Sequence, residues 1–209
     1  MYEAIVNAIQ RAVQSSLSEI NTTTPGTIVS YDAATNRAVV KPSLPRRLAD
    51  DEELQSPQIV EVPVVWTSSG GGKAGITFPL QPGDGVMLSF QQRSMEGWLD
   101  GKNTMPDDPR QFDLSDCVAI PGLQSSGIVA HSDDVVLKFD KTIVTLKKDG
   151  SLVMGNDKGG ITIDADGNIT LKGQSIKVDT PAKAFTLETH RHEFTKSDPA
   201  DNSGQPKAS

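Results

Sequence analysis

The sequence predicts a mainly β protein with a single helix at its N-terminus. Apolar residues recur at three- and four-residue steps only within residues 2–20, which is the period of a helix. After Pro25 they alternate with polar residues in short runs that end at Gly, Pro, Asn or Asp, as in strands. Aromatic residues make up only 5% of the 209 residues and apolar residues 36%, so one chain has little material for a large core. This composition fits a core that several chains share and, equally well, a modestly stable monomer.

The N-terminal segment, residues 1–23, carries the predicted helix. Its apolar residues form one narrow stripe, which consists of Ile5, Val6, Ile9, Val13, Leu17 and Ile20. The pattern ends at Thr22–Pro25. A narrow stripe is typical of a docking helix and of a short coiled coil, and the sequence leaves both open.

Residues 24–122 carry six strand-like runs and are predicted to form a small barrel. The runs are Thr27–Tyr31, Arg37–Lys41, Ile59–Trp66, Ile76–Leu80, Val86–Phe90 and Cys117–Ile120. Pro63 predicts that the third run is an edge or bulged strand. Leu44–Pro57 and Ser68–Lys73 are predicted loops, and the second lacks the spacing of a phosphate-binding loop. Five or six short strands with a long loop between them favour a Greek-key barrel of the OB type.

Residues 123–192, called the needle segment here, are predicted to form a slim β-prism shared by three chains. Its strand-like runs are Val135–Phe139, Ile143–Lys147, Ser151–Met154, Ile161–Asp164, Ile169–Lys172, Ile176–Asp179 and Phe185–Thr189. Apolar residues alternate with polar ones in three pairs, so one face is aliphatic; the pairs are Ile161 and Ile163, Ile169 and Leu171, and Ile176 and Val178. Residues 143–155 resemble residues 161–173, and their Asp-Gly turns lie 17 residues apart (149 to 166). The alternative is an ordinary antiparallel sheet packed on the barrel.

Charge and cysteine content exclude some classes of protein. With 27 acidic and 20 basic residues the net charge is −7, and we expect no nucleic-acid partner. The one cysteine, Cys117, lies in an apolar run and is predicted to be a core residue. We expect no signal peptide, because Glu3 interrupts the N-terminus. No run of 18 apolar residues predicts a membrane-spanning helix.

His190 and His192 are the candidate metal ligands. They flank Arg191 directly after the last predicted strand, and alternate residues of a strand point to one side. On a three-fold axis the pair becomes six imidazoles (two from each of three chains), which form an octahedral nitrogen shell. Such a shell disfavours Zn and makes Fe(II) the predicted ion, in a structural role. The alternative is a pair of solvated histidines.

In the last predicted strand, the apolar residues and the two histidines do not fall on the same face. Phe185 and Leu187 are odd-numbered, whereas both histidines are even-numbered, so a bulge near Glu188–Thr189 is needed to keep all four on the axis. The third histidine, His131, is predicted to be a surface residue.

The order of these features resembles the central membrane-piercing spikes of contractile phage tail baseplates. The resemblance rests on the helix, on Pro82-Gly-Asp-Gly85 before a strand, on the β region interrupted by glycines and on His190-Arg-His192. The resemblance implies a homotrimeric virion component, made in the host cytoplasm, whose N-terminal region meets tail hub proteins. It also implies a tip that contacts the host outer membrane, and an iron ion bound by His190 and His192 of all three chains. The polar C-terminal tip segment, residues 193–209, departs from this pattern.

We expect no catalytic residues, and three rival functions remain. A cupin-type metal enzyme needs a further histidine after His192, and the chain has none there. A β-helical polysaccharide-degrading enzyme needs paired carboxylates, for which Asp164, Asp166 and Asp179 are the candidates. A trimeric tail-fibre or hub adaptor that does not puncture is the nearest alternative.

Overall fold

The structure, a computed structural model, describes residues 2–18, 20–47, 52–127, 130–179 and 184–186. The chain divides into two compact units, Met1–Ile128 and Val129–Ser209. Each is described by itself below. Within the described residues, no helix combines the length and the apolar character needed to cross a membrane.

The first unit begins with helix α1, Tyr2–Ser18. It confirms the helix predicted over residues 2–20, with an end two residues earlier. The apolar stripe faces solvent, because Ile5, Ile9, Val13 and Leu17 are 52–58% exposed. The stripe is therefore an apolar surface that its own chain leaves largely uncovered.

Nine strands and a second short helix follow in the first unit. The strands are β1 Thr23–Asp32, β2 Arg37–Pro42, β3 Arg46–Arg47, β4 Glu53–Leu54, β5 Ile59–Pro63, β6 Thr67–Ser69, β7 Ala74–Ile76, β8 Gly85–Phe90 and β9 Cys117–Pro121. Helix α2, Glu96–Leu99, lies between β8 and β9. Five strands pair antiparallel in the order β5-β2-β1-β8-β9. Val64 and Ala119 form a parallel bridge, and the Val65 amide donates to the Ala119 carbonyl at 2.9 Å. This bridge brings the two outer strands together and supports the predicted OB-like half-barrel.

Two bulges curl this sheet, and both lie opposite Val39. In β1, Ile28 pairs with Val40 and Ser30 with Val39, so Val29 is the extra residue. In β5, Val60 and Glu61 together oppose the single residue Val39, and Glu61 has a positive φ of 57°. Bulges bend a strand and increase its twist. The predicted bulged edge strand around Pro63 is therefore confirmed.

The core of the first unit lies inside the curled sheet and is built from small apolar side chains. Its members are Ile28, Ala38, Val40, Ile59, Val62, Val64, Val86, Leu88, Phe90, Cys117 and Ala119. Cys117 is fully buried, which confirms its prediction as a core residue. Burial, followed by the nearby charge of Asp116, raises the pKa of its thiol to about 12.

Two predicted loops of the first unit contain short strands. Ser68–Lys73 was predicted as a loop, but β6 and β7 form a hairpin around a tight turn of three glycines, Gly70–Gly72, all with positive φ. Because that pairing ends at Ile76, the predicted strand Ile76–Leu80 does not form. Instead Phe78 packs against Trp66 with ring centroids 5.9 Å apart. The predicted loop Leu44–Pro57 contains the short pair β3–β4.

The connection from β8 to β9 is fastened to the barrel by Asp116. This residue is 2% exposed, and its carboxylate accepts hydrogen bonds from the Arg110 guanidinium and from the Met95 amide at 3.1 Å. Its carbonyl accepts from the Gln91 amide at 2.7 Å. These contacts hold α2 and the rest of the connection against the end of the sheet.

The second unit contains a five-stranded antiparallel meander followed by a short hairpin. The meander strands are β10 Val135–Phe139, β11 Thr142–Leu146, β12 Leu152–Asn156, β13 Gly159–Ile163 and β14 Ile169–Lys172, which pair in sequence order. The hairpin pairs β15 Lys177–Asp179 with β16 Ala184–Thr186. All seven predicted strands are present among the described residues: β10 and β14 have the predicted bounds, and the ends of the other five differ by up to three residues. A single chain therefore forms a sheet, and winding of three chains into a needle stays a prediction.

Candidate functional site

One face of the meander carries two complete rows of aliphatic side chains. Directly paired residues of neighbouring strands point to the same face. The first row is Val135, Leu146, Leu152, Ile163 and Ile169, and the second is Leu137, Val144, Met154, Ile161 and Leu171. Each row crosses all five strands without a polar residue. We call these ten residues the aliphatic face.

The aliphatic face is largely open to solvent. Seven of its ten side chains are exposed, from Ile161 at 36% to Val135 at 67%, and the other three are half-buried. Full burial of one aliphatic side chain contributes about 1.5–3 kcal/mol. Because these ten side chains are only partly covered, their full burial by a partner would contribute a further free energy on the order of 10 kcal/mol per chain. Contiguous apolar patches of this kind mark interaction surfaces.

The opposite face of the meander mixes polar residues and glycines with three apolar residues. One row is Val136, Thr145, Val153, Thr162 and Thr170, and the other is Lys138, Ile143, Gly155, Gly160 and Lys172. Gly155 and Gly160 lie directly opposite each other, and a Cβ on Gly155 would lie 2.7 Å from the Cα of Gly160. The β12–β13 hairpin therefore needs glycine at this pair in order to curl this tightly.

Two five-residue turns set the register of the aliphatic face. In the first, the Lys147 amide donates to the Ser151 carbonyl at 2.9 Å, and in the second, the Asp164 amide donates to the Asn168 carbonyl at 3.0 Å. Gly150 and Gly167 occupy the same position in the two turns, with φ of 88° and 87°. The internal repeat is therefore structural, with a period of 17 residues.

The register corrects the predicted alignment of the repeat. A shift of 17 residues superposes Val144 on Ile161, whereas the sequence comparison had aligned Ile143 with Ile161. Ile143 lies on the opposite face, beside Gly155. The turn length decides this parity, because a shift of one residue moves every side chain of a strand to the other face.

The sequence predicted four members of the aliphatic face and did not name the other six. Ile161, Ile163, Ile169 and Leu171 were predicted to share one aliphatic face, and their register confirms it. The other six lie in β10, β11 and β12, and they alternate in the same way. Applying the 17-residue period to the named four would have found those in β11 and β12.

The carboxylates considered for an enzyme act as turn residues where the structure describes them. Asp164 accepts hydrogen bonds from the amides of Asp166 and Asn168 and from the Asn168 side chain, at 2.8–3.0 Å. These bonds, that of the Asn168 side chain above all, lower the pKa of Asp164. A general acid of a glycosidase needs a raised pKa instead. The side chain of Asp179 lies outside the described residues.

The proposed metal ligands, His190 and His192, lie outside the described residues, as does the bulge predicted near Glu188–Thr189. His131 is exposed, as predicted. Within the described part of the chain, no three His, Cys, Asp or Glu residues lie close enough to hold a metal ion. The histidine pair and its iron therefore remain predictions from the sequence.

Comparison with known proteins finds one matching family. Residues 24–122 match the family model described as the phage protein Gp138 N-terminal domain. These residues contain the five-stranded sheet of the first unit apart from Thr23, its first residue. No curated protein matches the chain.

Proposed function

We propose that this chain is the membrane-piercing spike of a tail baseplate. The domain match supports this proposal, because it indicates a phage structural protein and a virion component. Three copies would form it, and it would pierce the host outer membrane when the tail sheath contracts. The first unit would sit at the tail hub, and the needle segment would point towards the host.

The aliphatic face is the observation that carries this proposal. Ten aliphatic side chains in two rows, mostly exposed in one chain, need a partner surface of equal extent. Further copies of the same chain supply such a surface without any other protein. Three aliphatic faces around one axis would enclose a dry core and give a slim, closed β structure.

Such a spike would act mechanically, without catalysis. Sheath contraction would supply the force, and the chain would have to keep its strands paired while it passes through lipid. A shared apolar core resists bending, and closure of a sheet on neighbouring copies leaves few open strand edges. Tight turns such as those at Gly150 and Gly167 keep the width of the needle small.

The predicted iron would tie the three chains together near the tip. His190 and His192 of each chain would contribute six imidazole nitrogens in two layers. With all six positions filled by protein, the ion would have no open site for a substrate. Its role would be to hold the chain ends, which fray most readily.

The nearest alternative is a trimeric fibre or hub adaptor, which would need the same shared core. Gold-labelled antibody against the protein, viewed on intact phage by electron microscopy, separates the two. We expect label at the distal tip of the baseplate, on the tail axis. Label along side fibres or around the baseplate rim would overturn the spike and favour the adaptor.

A further inference from the structure

We propose that the α1 helices of three copies pack against one another as a short parallel coiled coil. This inference rests on the proposed trimer, because α1 would be brought to its partners by the same assembly. It concerns a surface at the other end of the chain from the histidine pair. The apolar stripe of each α1 helix would thus pack against the α1 helices of a second and a third copy.

The apolar residues of α1 follow a seven-residue repeat. Val6 and Val13, followed by Ile20 two residues past the end of α1, occupy one core position of the repeat, and Tyr2, Ile9 and Ser16 occupy the other. At the centre of the helix a β-branched residue, Val13, therefore meets isoleucine, Ile9, and this combination favours assemblies of three or four helices over pairs. Ile5 and Leu17 flank this seam and widen it. The residue types therefore match a three-stranded assembly.

The seam is available for such packing. Ile9 is 58% and Val13 is 52% exposed, and the flanking Ile5 and Leu17 are 54% and 57% exposed. Between Tyr2 and Ser18 the charged residues are Glu3 and Arg11, which carry opposite charges. Copies of α1 can therefore approach one another without a net electrostatic penalty.

The length of α1 explains why it needs the rest of the assembly. Its 17 residues span about 25 Å, and an isolated helix of that length is marginal in water. Two and a half repeats are also short for a coiled coil that forms alone. Attachment to a trimeric body raises the effective concentration of the three helices to the millimolar range, which offsets the short seam.

Disulfide formation tests this inference in the full-length protein. Val13→Cys places a thiol in the seam, and Arg11→Cys places one on the outer side of the same helix. Cys117 does not interfere, because it is buried and its thiol pKa is about 12. Under mild oxidation we expect Val13→Cys to form covalent dimers about tenfold faster than Arg11→Cys, since only seam positions bring Cα atoms within disulfide reach.

The native mass of each variant separates the outcomes. Equal or absent cross-linking of both variants, at a trimeric mass, would overturn the coiled coil and leave the spike proposal standing. A monomeric mass would instead overturn the trimer from which the inference starts.

A second pair of variants guards against an unreactive thiol. We expect Val13→Lys to lose the helical circular dichroism of α1, and Gln14→Lys, one residue further on, to keep it. Full helicity of Val13→Lys in a trimer would also contradict the inference.

Discussion

Leu137 and Leu171 lie at opposite ends of one row that crosses all five strands of the meander, on the same face of the sheet. Their side chains are 54% and 47% exposed. Three aliphatic residues of the intervening strands connect them, so the row is one continuous apolar stripe. A single chain gains little from such a stripe, whereas an assembly that covers it gains a core.

Leu171→Lys should break the assembly. A lysine there would place a charged ammonium group in the shared core, and burial of an unpaired charge costs several kcal/mol. Light scattering should then show a single chain. The matched control is Thr170→Lys, one residue earlier on β14 and on the opposite face of the sheet, which should keep the native mass. Dissociation of both variants, or of neither, would contradict the role of the aliphatic face.

Asp116→Ala should destabilise the first unit. The substitution leaves the Met95 amide and the Arg110 guanidinium without their carboxylate, at a site where Asp116 is 2% exposed. Because the Arg110 side chain is 30% exposed, the loss should be that of a buried hydrogen-bonding partner, about 1–3 kcal/mol in the free energy of unfolding. Urea unfolding followed by tryptophan fluorescence measures this loss.

Asp108→Ala is the control for that measurement. Asp108 contacts the same guanidinium at 2.8 Å, but its side chain is 44% exposed. Exposed ion pairs contribute about 0–1 kcal/mol. Equal losses from both substitutions would show that burial of Asp116 does not matter.

Cys117 should make the stability of the first unit depend on alkaline pH. Its folded pKa is about 12, whereas a cysteine in an unfolded chain has a pKa of about 8.5. Above pH 8.5 the unfolded chain therefore releases a proton that the folded chain retains, and stability falls as pH rises.

The size of this effect follows from the two pKa values. Between pH 7.5 and pH 9.5 the ionisation of Cys117 in the unfolded chain should lower the free energy of unfolding by about 1 kcal/mol. Cys117→Ala should remove this part of the pH dependence, because lysines and tyrosines titrate alike in both proteins. Identical pH profiles for the two proteins would contradict the prediction.

His190→Ala combined with His192→Ala should remove the bound metal and leave the trimer intact. In the proposed spike the aliphatic face would supply the association energy, and the ion would only tie the chain ends. Elemental analysis of untagged protein should find about one iron per three chains before the change and none after it. Loss of the trimer would show that the shared β core does not by itself hold the three chains together. One metal per chain would favour a metal enzyme.

The sequence predicted the elements that depend on local pattern. Alternation and Asp-Gly turns located all five meander strands, and the small apolar runs located the barrel strands together with Cys117. Such features are local, because strand periodicity and turn chemistry act over a few residues.

Features that depend on distant contacts were missed. Three successive glycines gave no pattern for the β6–β7 hairpin, and nothing local showed that Asp116 meets Arg110 and Met95. The sequence did not show on which face Ile143 lies, because the length of a turn, and not the order of apolar residues, decides which face a strand presents.

The native mass in solution tests the account most directly. One chain has a mass of 22.3 kDa, so the account predicts a particle of three times that value by light scattering at low micromolar concentration. A stable monomer or dimer would contradict it, because neither can place three aliphatic faces around one axis.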